Sequence, residues 1–134
     1  MAYRIAFDGP LVVITLSGTI SREDLVGIGT DLFAIERGGT YTPPRLTDLR
    51  GAEDSTVGYP DIARLAERSI ARPLSAPVRA ALLVEKPAQL GYARMFQTLN
   101  RHPLVTLQVF DDEKAARDWL VEPGTEPVAG TNRQ

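Results

Sequence analysis

Leu11-Val12-Val13-Ile14-Thr15-Leu16 is apolar at nearly every position. A run this short and this rich in β-branched residues reads as a strand. Its lack of polar alternation marks a strand covered on both faces, which is the usual state of a parallel sheet. Val78 to Val84 has the same character, with Arg79 near its start. Two such strands predict a sheet sandwiched between helical layers.

The flanks of the first run fill in the order. Tyr3-Arg4-Ile5-Ala6-Phe7 alternates with strand period, and Asp8-Gly9 supplies a turn ahead of Pro10. The first strand is therefore expected to be an antiparallel edge. Ser17-Gly18-Thr19 is expected to end the second strand. Ser21 is a good helix N-cap, with Glu23 and Asp24 in the first turn. Leu25, Ile28, Leu32 and Ile35 share one helical face. Gly27 and Gly29 weaken this helix by about 1 kcal/mol each relative to Ala, which suggests close contact with the sheet or a second subunit. Gly38-Gly39 is expected to end it, and residues 40–44 form a linker.

Arg45 to Leu49 reads as a short third strand, followed by a polar loop over Arg50 to Gly58. Tyr59-Pro60-Asp61 opens a helix with a stripe of Ile62, Leu65, Ala66, Ser69 and Ile70. Arg72-Pro73 and Ala76-Pro77 bracket a turn before the fourth strand. Pro87 opens a third helix, in which Tyr92, Phe96 and Leu99 share a face and His102-Pro103 marks the end. Leu104 to Phe110 alternates as a fifth strand. Asp111 is expected to cap a last helix that turns Ala115, Ala116, Trp119 and Leu120 inward.

The order ββαβαβαβα predicts a single α/β domain over residues 1–121. Its five-stranded sheet is mixed and mostly parallel, with an antiparallel edge strand and four helices. Residues 122–134 contain Pro123, Gly124, Pro127 and Gly130 with no apolar period, and are expected to be a disordered tail.

The chain has 134 residues, 43% apolar and 24% charged, as in an ordinary globular domain. Its formal net charge of −2 gives no support for nucleic-acid binding. There is no cysteine and a single histidine, His102, so thiolate chemistry is excluded and a zinc site is not expected. His102 is placed at a helix end, where an imidazole interacts well with the dipole. No basic leader with a long apolar run and no transmembrane stretch is visible. The expected location is cytoplasmic.

No Gly-x-Ser-x-Gly elbow, Gly-x-Gly-x-x-Gly or Walker sequence is present. No catalytic residue, cofactor or metal site is therefore assigned. Ligands of parallel sheets bind beyond the carboxyl ends of the strands, which selects the loop from Arg50 to Gly58. Arg50 suits a carboxylate or phosphate, and Ser55 and Thr56 offer hydroxyls. Asp54 neighbours them in sequence. Tyr92 with Met95 and Phe96 supplies either helix packing or an apolar pocket or dimer surface.

Three segments carry a family resemblance. They are Leu46-Thr47-Asp48-Leu49-Arg50, Gly91-Tyr92-Ala93-Arg94-Met95, and Val109-Phe110-Asp111-Asp112 continuing to Trp119-Leu120. The chain resembles the SpoIIAA-like group, related in fold to STAS domains. That resemblance implies a non-catalytic α/β module that often self-associates, here as a homodimer. Anti-sigma antagonists of this kind carry a phosphorylatable serine in an Asp-Ser-x-Gly loop after the third strand. Asp54-Ser55-Thr56-Val57-Gly58 is similar, but one residue longer before the glycine. Others with this fold, resembling CRAL-TRIO proteins, bind apolar ligands.

The expected function is a binding or regulatory module that docks a protein partner, or a small apolar or anionic ligand, through Arg50, Asp54, Ser55, Thr56 and Tyr92. The alternatives are a phospho-switch at Ser55 and an enzyme built on Arg50, Asp54, Ser55 and Tyr92.

Overall fold

A computed structural model describes residues 2–36, 42–71, 73–74 and 76–122. The Gly38-Gly39 helix end, residues 40–41 of the linker and residues 123–134 of the tail lie outside them. The elements are β1 (Tyr3–Asp8), β2 (Leu11–Ile20), α1 (Arg22–Glu36), β3 (Arg45–Ser55), α2 (Tyr59–Ala71), β4 (Val78–Leu83), α3 (Pro87–Leu99), β5 (Val105–Phe110) and α4 (Glu113–Leu120).

The strands lie side by side in chain order, β1-β2-β3-β4-β5. β1 runs antiparallel to β2, and β2 through β5 are parallel. Right-handed crossovers between strands that always step the same way put every crossover helix on the same face. α1, α2 and α3 accordingly pack there, against Val12, Ile14, Leu16 and Ile20 of β2. α4 follows the last strand and covers the opposite face, where Ala116 and Leu120 meet Leu11, Leu46, Ala81 and Leu83. The two faces account for the unalternated apolar runs in β2 and β4.

Local chemistry sets the helix starts. Ser21 and Asp24 cap α1 reciprocally: the Ser21 N–H and hydroxyl donate to Asp24 Oδ2 at 2.8 and 2.9 Å, and the Asp24 N–H donates to Ser21 Oγ at 3.2 Å. The cap of α4 is Asp112 rather than Asp111, its carboxylate accepting from the Ala115 N–H at 2.8 Å. Trp119 of α4 lies 5.6 Å from Phe110, with the Arg79 guanidinium 5.0 Å from its ring centre. Arg79 also pairs with Glu122 at 3.4 Å, so the first residue of the anticipated tail is tied to the domain. Among the described residues no helix is long and apolar enough to cross a membrane.

Two strands differ from the sequence expectation. Ser17-Gly18-Thr19 does not end β2, which continues to Ile20 with Gly18 at a φ of +72° beside a shift in register with β3. β3 does not stop at Leu49; it runs to Ser55, so most of the anticipated loop is strand. The two extensions pair through register shifts, with extra β3 residues between Asp48 and Gly51 and between Ala52 and Asp54. Such bulges reverse the side-chain alternation. Leu46 and Arg50 face α4, whereas Leu49 and Ala52 both face the three-helix side.

Gly51 leaves no room for a side chain against β2. A Cβ there would lie 2.7 Å from the Leu16 carbonyl oxygen, a backbone atom with little room to retreat. Gly51→Ala should cost about 1–3 kcal/mol of stability, read as a lower urea midpoint. An unchanged midpoint would contradict this packing.

Candidate functional site

The carboxyl ends of β2 and β3 and the first turn of α3 enclose a pocket of about 220 Å³. Its position is set by Gln89, which is 4% exposed. The Gln89 carbonyl accepts from the Glu85 and Lys86 N–H groups at 2.8 and 3.0 Å. Its amide donates to the Arg50 and Ala52 carbonyls at 3.2 and 2.9 Å. All the bonds available to this buried amide are thus used to bind the bulged strand to the helix start. Sequence reasoning missed Gln89. Its signal was a Gln three residues after Lys86, with Pro87 in the first turn, which is half of a capping box.

Asp54, Ser55 and Tyr92 line this pocket together. Each is already engaged. Asp54 accepts from the Ser55 N–H at 2.8 Å, Ser55 Oγ accepts from the Val57 N–H at 3.0 Å, and the Tyr92 hydroxyl donates to the Val57 carbonyl at 2.9 Å. Thr56 is exposed and is tied through its backbone N–H to the Ile20 carbonyl at 3.0 Å.

Arg50 does not join them. It points to the opposite face, where it grips Asp48 through two bonds of 3.0 and 2.9 Å and reaches Glu113 of α4 at 2.8 Å. Arg117 extends the chain of charges, binding Glu113 at 2.8 Å and Asp8 at 2.9 Å. Burial pushes the Asp48 carboxyl up, but the bonds from Arg50 together outweigh it and leave the pKa below its ordinary value. Arg117, then Arg50, holds Glu113 low as well. This network clamps α4 to the sheet.

A second and larger cavity, about 310 Å³, lies between the sheet and the three-helix layer. Its walls are apolar side chains such as Ile14, Leu82, Ile62 and Phe96. The two pockets share Leu16, Leu25, Leu49, Ile62 and Tyr92 as walls. The large cavity reaches Arg45 and Val105 at the amino ends of β3 and β5. Its exposed lining residues are Thr30, Phe33 and Arg68, so it opens between α1 and α2. The rule that placed a ligand beyond the carboxyl ends rests on a reversal of strand order. No reversal occurs from β2 to β5. Among the described residues no cluster of acidic or histidine side chains is arranged to hold a metal ion.

No family model and no curated protein matches the chain. Solved structures do. An uncharacterized DUF3478-family protein with a SpoIIAA-like fold, from Shewanella loihica PV-4, superposes with a TM-score of 0.60 at 19% identity, covering 89% of this chain and 92% of its own. The fold is SpoIIAA-like. The Bacillus cell-fate determinant SpoIIAA, in its phosphorylated form, agrees with a TM-score of 0.52 at 18% identity, covering 88% of this chain and 98% of its own. The expected topology thus stands, with a mixed five-stranded sheet and four helices.

The depressed carboxylates give a sign to acid sensitivity. Their stabilisation is complete above the unfolded carboxyl pKa, near about 4, and is lost as pH falls through the lower folded values. Arg50→Gln should therefore lower the urea midpoint at neutral pH and narrow its drop between neutral pH and about pH 3. An equal drop in both proteins would remove Arg50 as the cause.

Proposed function

We propose that this SpoIIAA-like domain is a non-catalytic binding module whose ligand is small and largely apolar, held in the cavity between the sheet and helices α1 to α3. The observation that carries this is the cavity itself. Its volume of about 310 Å³ falls within the range of small-molecule sites, about 300–1,000 Å³. Native interiors are otherwise packed to the density of organic crystals. An open apolar cleft of this size leaves its walls facing water, and an apolar occupant would remove that surface from water.

The small residues around it support the same reading. Gly29, Ala80 and Ala93 line the space where larger side chains would fill it. The Ser55 hydroxyl, by contrast, is engaged by the Val57 N–H, and a phosphate there would sit beside Glu53 and Asp54. A phospho-switch therefore has less support than a ligand. The four-residue enzyme site has less again, with Arg50 on the other face. Self-association would use exposed apolar residues on α1 such as Val26, and a 14.6 kDa particle in light scattering would overturn it.

Ala80→Leu separates a binding cavity from a packing requirement. In a tight core the larger residue would cost about 1–3 kcal/mol. Here the variant should keep or raise its thermal midpoint. The parent chain should be stabilised by decanol and the variant should not be. A destabilised variant, or a parent chain that decanol leaves unshifted, would overturn the proposal.

A further inference from the structure

Two arginines line the large cavity, one at its rim and one on its wall. Arg68 lines the cavity and is exposed on α2. Among the described residues no ion pair or hydrogen bond is formed by its guanidinium. The other arginine on the wall, Arg45, is bound by Glu36 at 3.0 Å, with both side chains largely buried. Arg45 is thus neutralised where it stands. Thr30, beside the opening, returns its hydroxyl to the Val26 carbonyl at 3.0 Å. Asp31, the acidic residue next along α1, accepts from the Tyr3 hydroxyl at 2.7 Å.

Gly29 gives Arg68 its place. A Cβ at Gly29 would lie 3.4 Å from Arg68 Nη2, so the guanidinium rests against the bare backbone of α1. It bridges the gap between α1 and α2 through which the cavity opens. Ser69, next to it in α2, adds a hydroxyl to the same lining, and the half-exposed ring of Phe33 adds an apolar lip.

We infer that the ligand is an anionic amphiphile, with its carboxylate or equivalent acid group held by Arg68 at the opening and its hydrocarbon part directed inward toward Ala80 and Leu82. This rests on the cavity being a binding site, and it adds the ligand's charge and orientation. The planar guanidinium is suited to a carboxylate through two parallel bonds. Beyond it the polar lining is confined to Thr47, Asn100, a Tyr92 hydroxyl bound to the Val57 carbonyl and an Arg45 already paired with Glu36, so a ligand charged at its inner end would carry a large desolvation penalty. An acid group at the mouth and an alkyl chain inside satisfies both ends.

The test compares three probes of one chain length on the full-length protein: decanoate, decanol and decyltrimethylammonium, measured by calorimetry. Decanoate should bind about five- to tenfold more tightly than decanol, in line with a charge-assisted bond at a partly exposed site. The cationic probe should bind worst. Arg68→Gln should weaken decanoate binding and erase its preference over decanol. Arg68→Lys should keep part of it. Equal affinity for decanoate and decanol, or a preference that survives Arg68→Gln, overturns the head-group assignment and leaves the cavity reading intact. Failure of all three probes overturns both.

Discussion

Handedness governs this molecule. A strand followed by a helix and a parallel strand turns one way, and here each crossover also steps to the next strand in sequence. Those two constraints force α1, α2 and α3 onto one face and leave α4 to cover the other alone. Three helices from successive crossovers must span four strands. Their spacing is dictated by the strands beneath them rather than by their own side chains. Where the side chains are small, as at Gly29, Ala80 and Ala93, they leave the space between layer and sheet unfilled, and the large cavity remains.

The opposite face shows what close packing of the same sheet looks like. Ala81, Leu83 and Ala116 have no measurable exposure, and Leu46 has 1%. Small residues there let α4 come close, and the ion pairs Arg50–Glu113 and Arg117–Asp8 hold its first and last turns against β3 and β1. One sheet therefore carries a tightly closed side and a hollow side. The hollow side holds the candidate binding surface, and the closed side holds the charges that the sequence suggested for it.

Much of the fold was readable from residue pattern. The apolar runs of β2 and β4, the Asp8-Gly9 turn and the helix stripes led to the correct element order, and Ser21 marked the start of α1. The two errors in strand length share one cause. Ser17-Gly18-Thr19 and Arg50 to Ser55 have the composition of loops, yet they pair with each other across the sheet. Mutual pairing of two polar extensions is a tertiary fact, invisible to local propensity. The same bulges decided which candidates meet. Asp54, Ser55 and Tyr92 come together, while Arg50, only four residues before Asp54, is turned to the far side. The cavity had no linear signature, because emptiness is a property of what several distant small residues fail to fill.

The sequential strand order has a consequence for how the chain reaches this state. Every strand pairs with its immediate neighbour in sequence, so no pairing waits for a distant segment. Each closure spans little more than one helix, which keeps the loop entropy of each step modest. Assembly can proceed by accretion, from the β1–β2 hairpin outward, as a growing edge that each new strand extends. Such a chain is suited to folding as it emerges from synthesis, with α4 arriving last to seal the completed sheet.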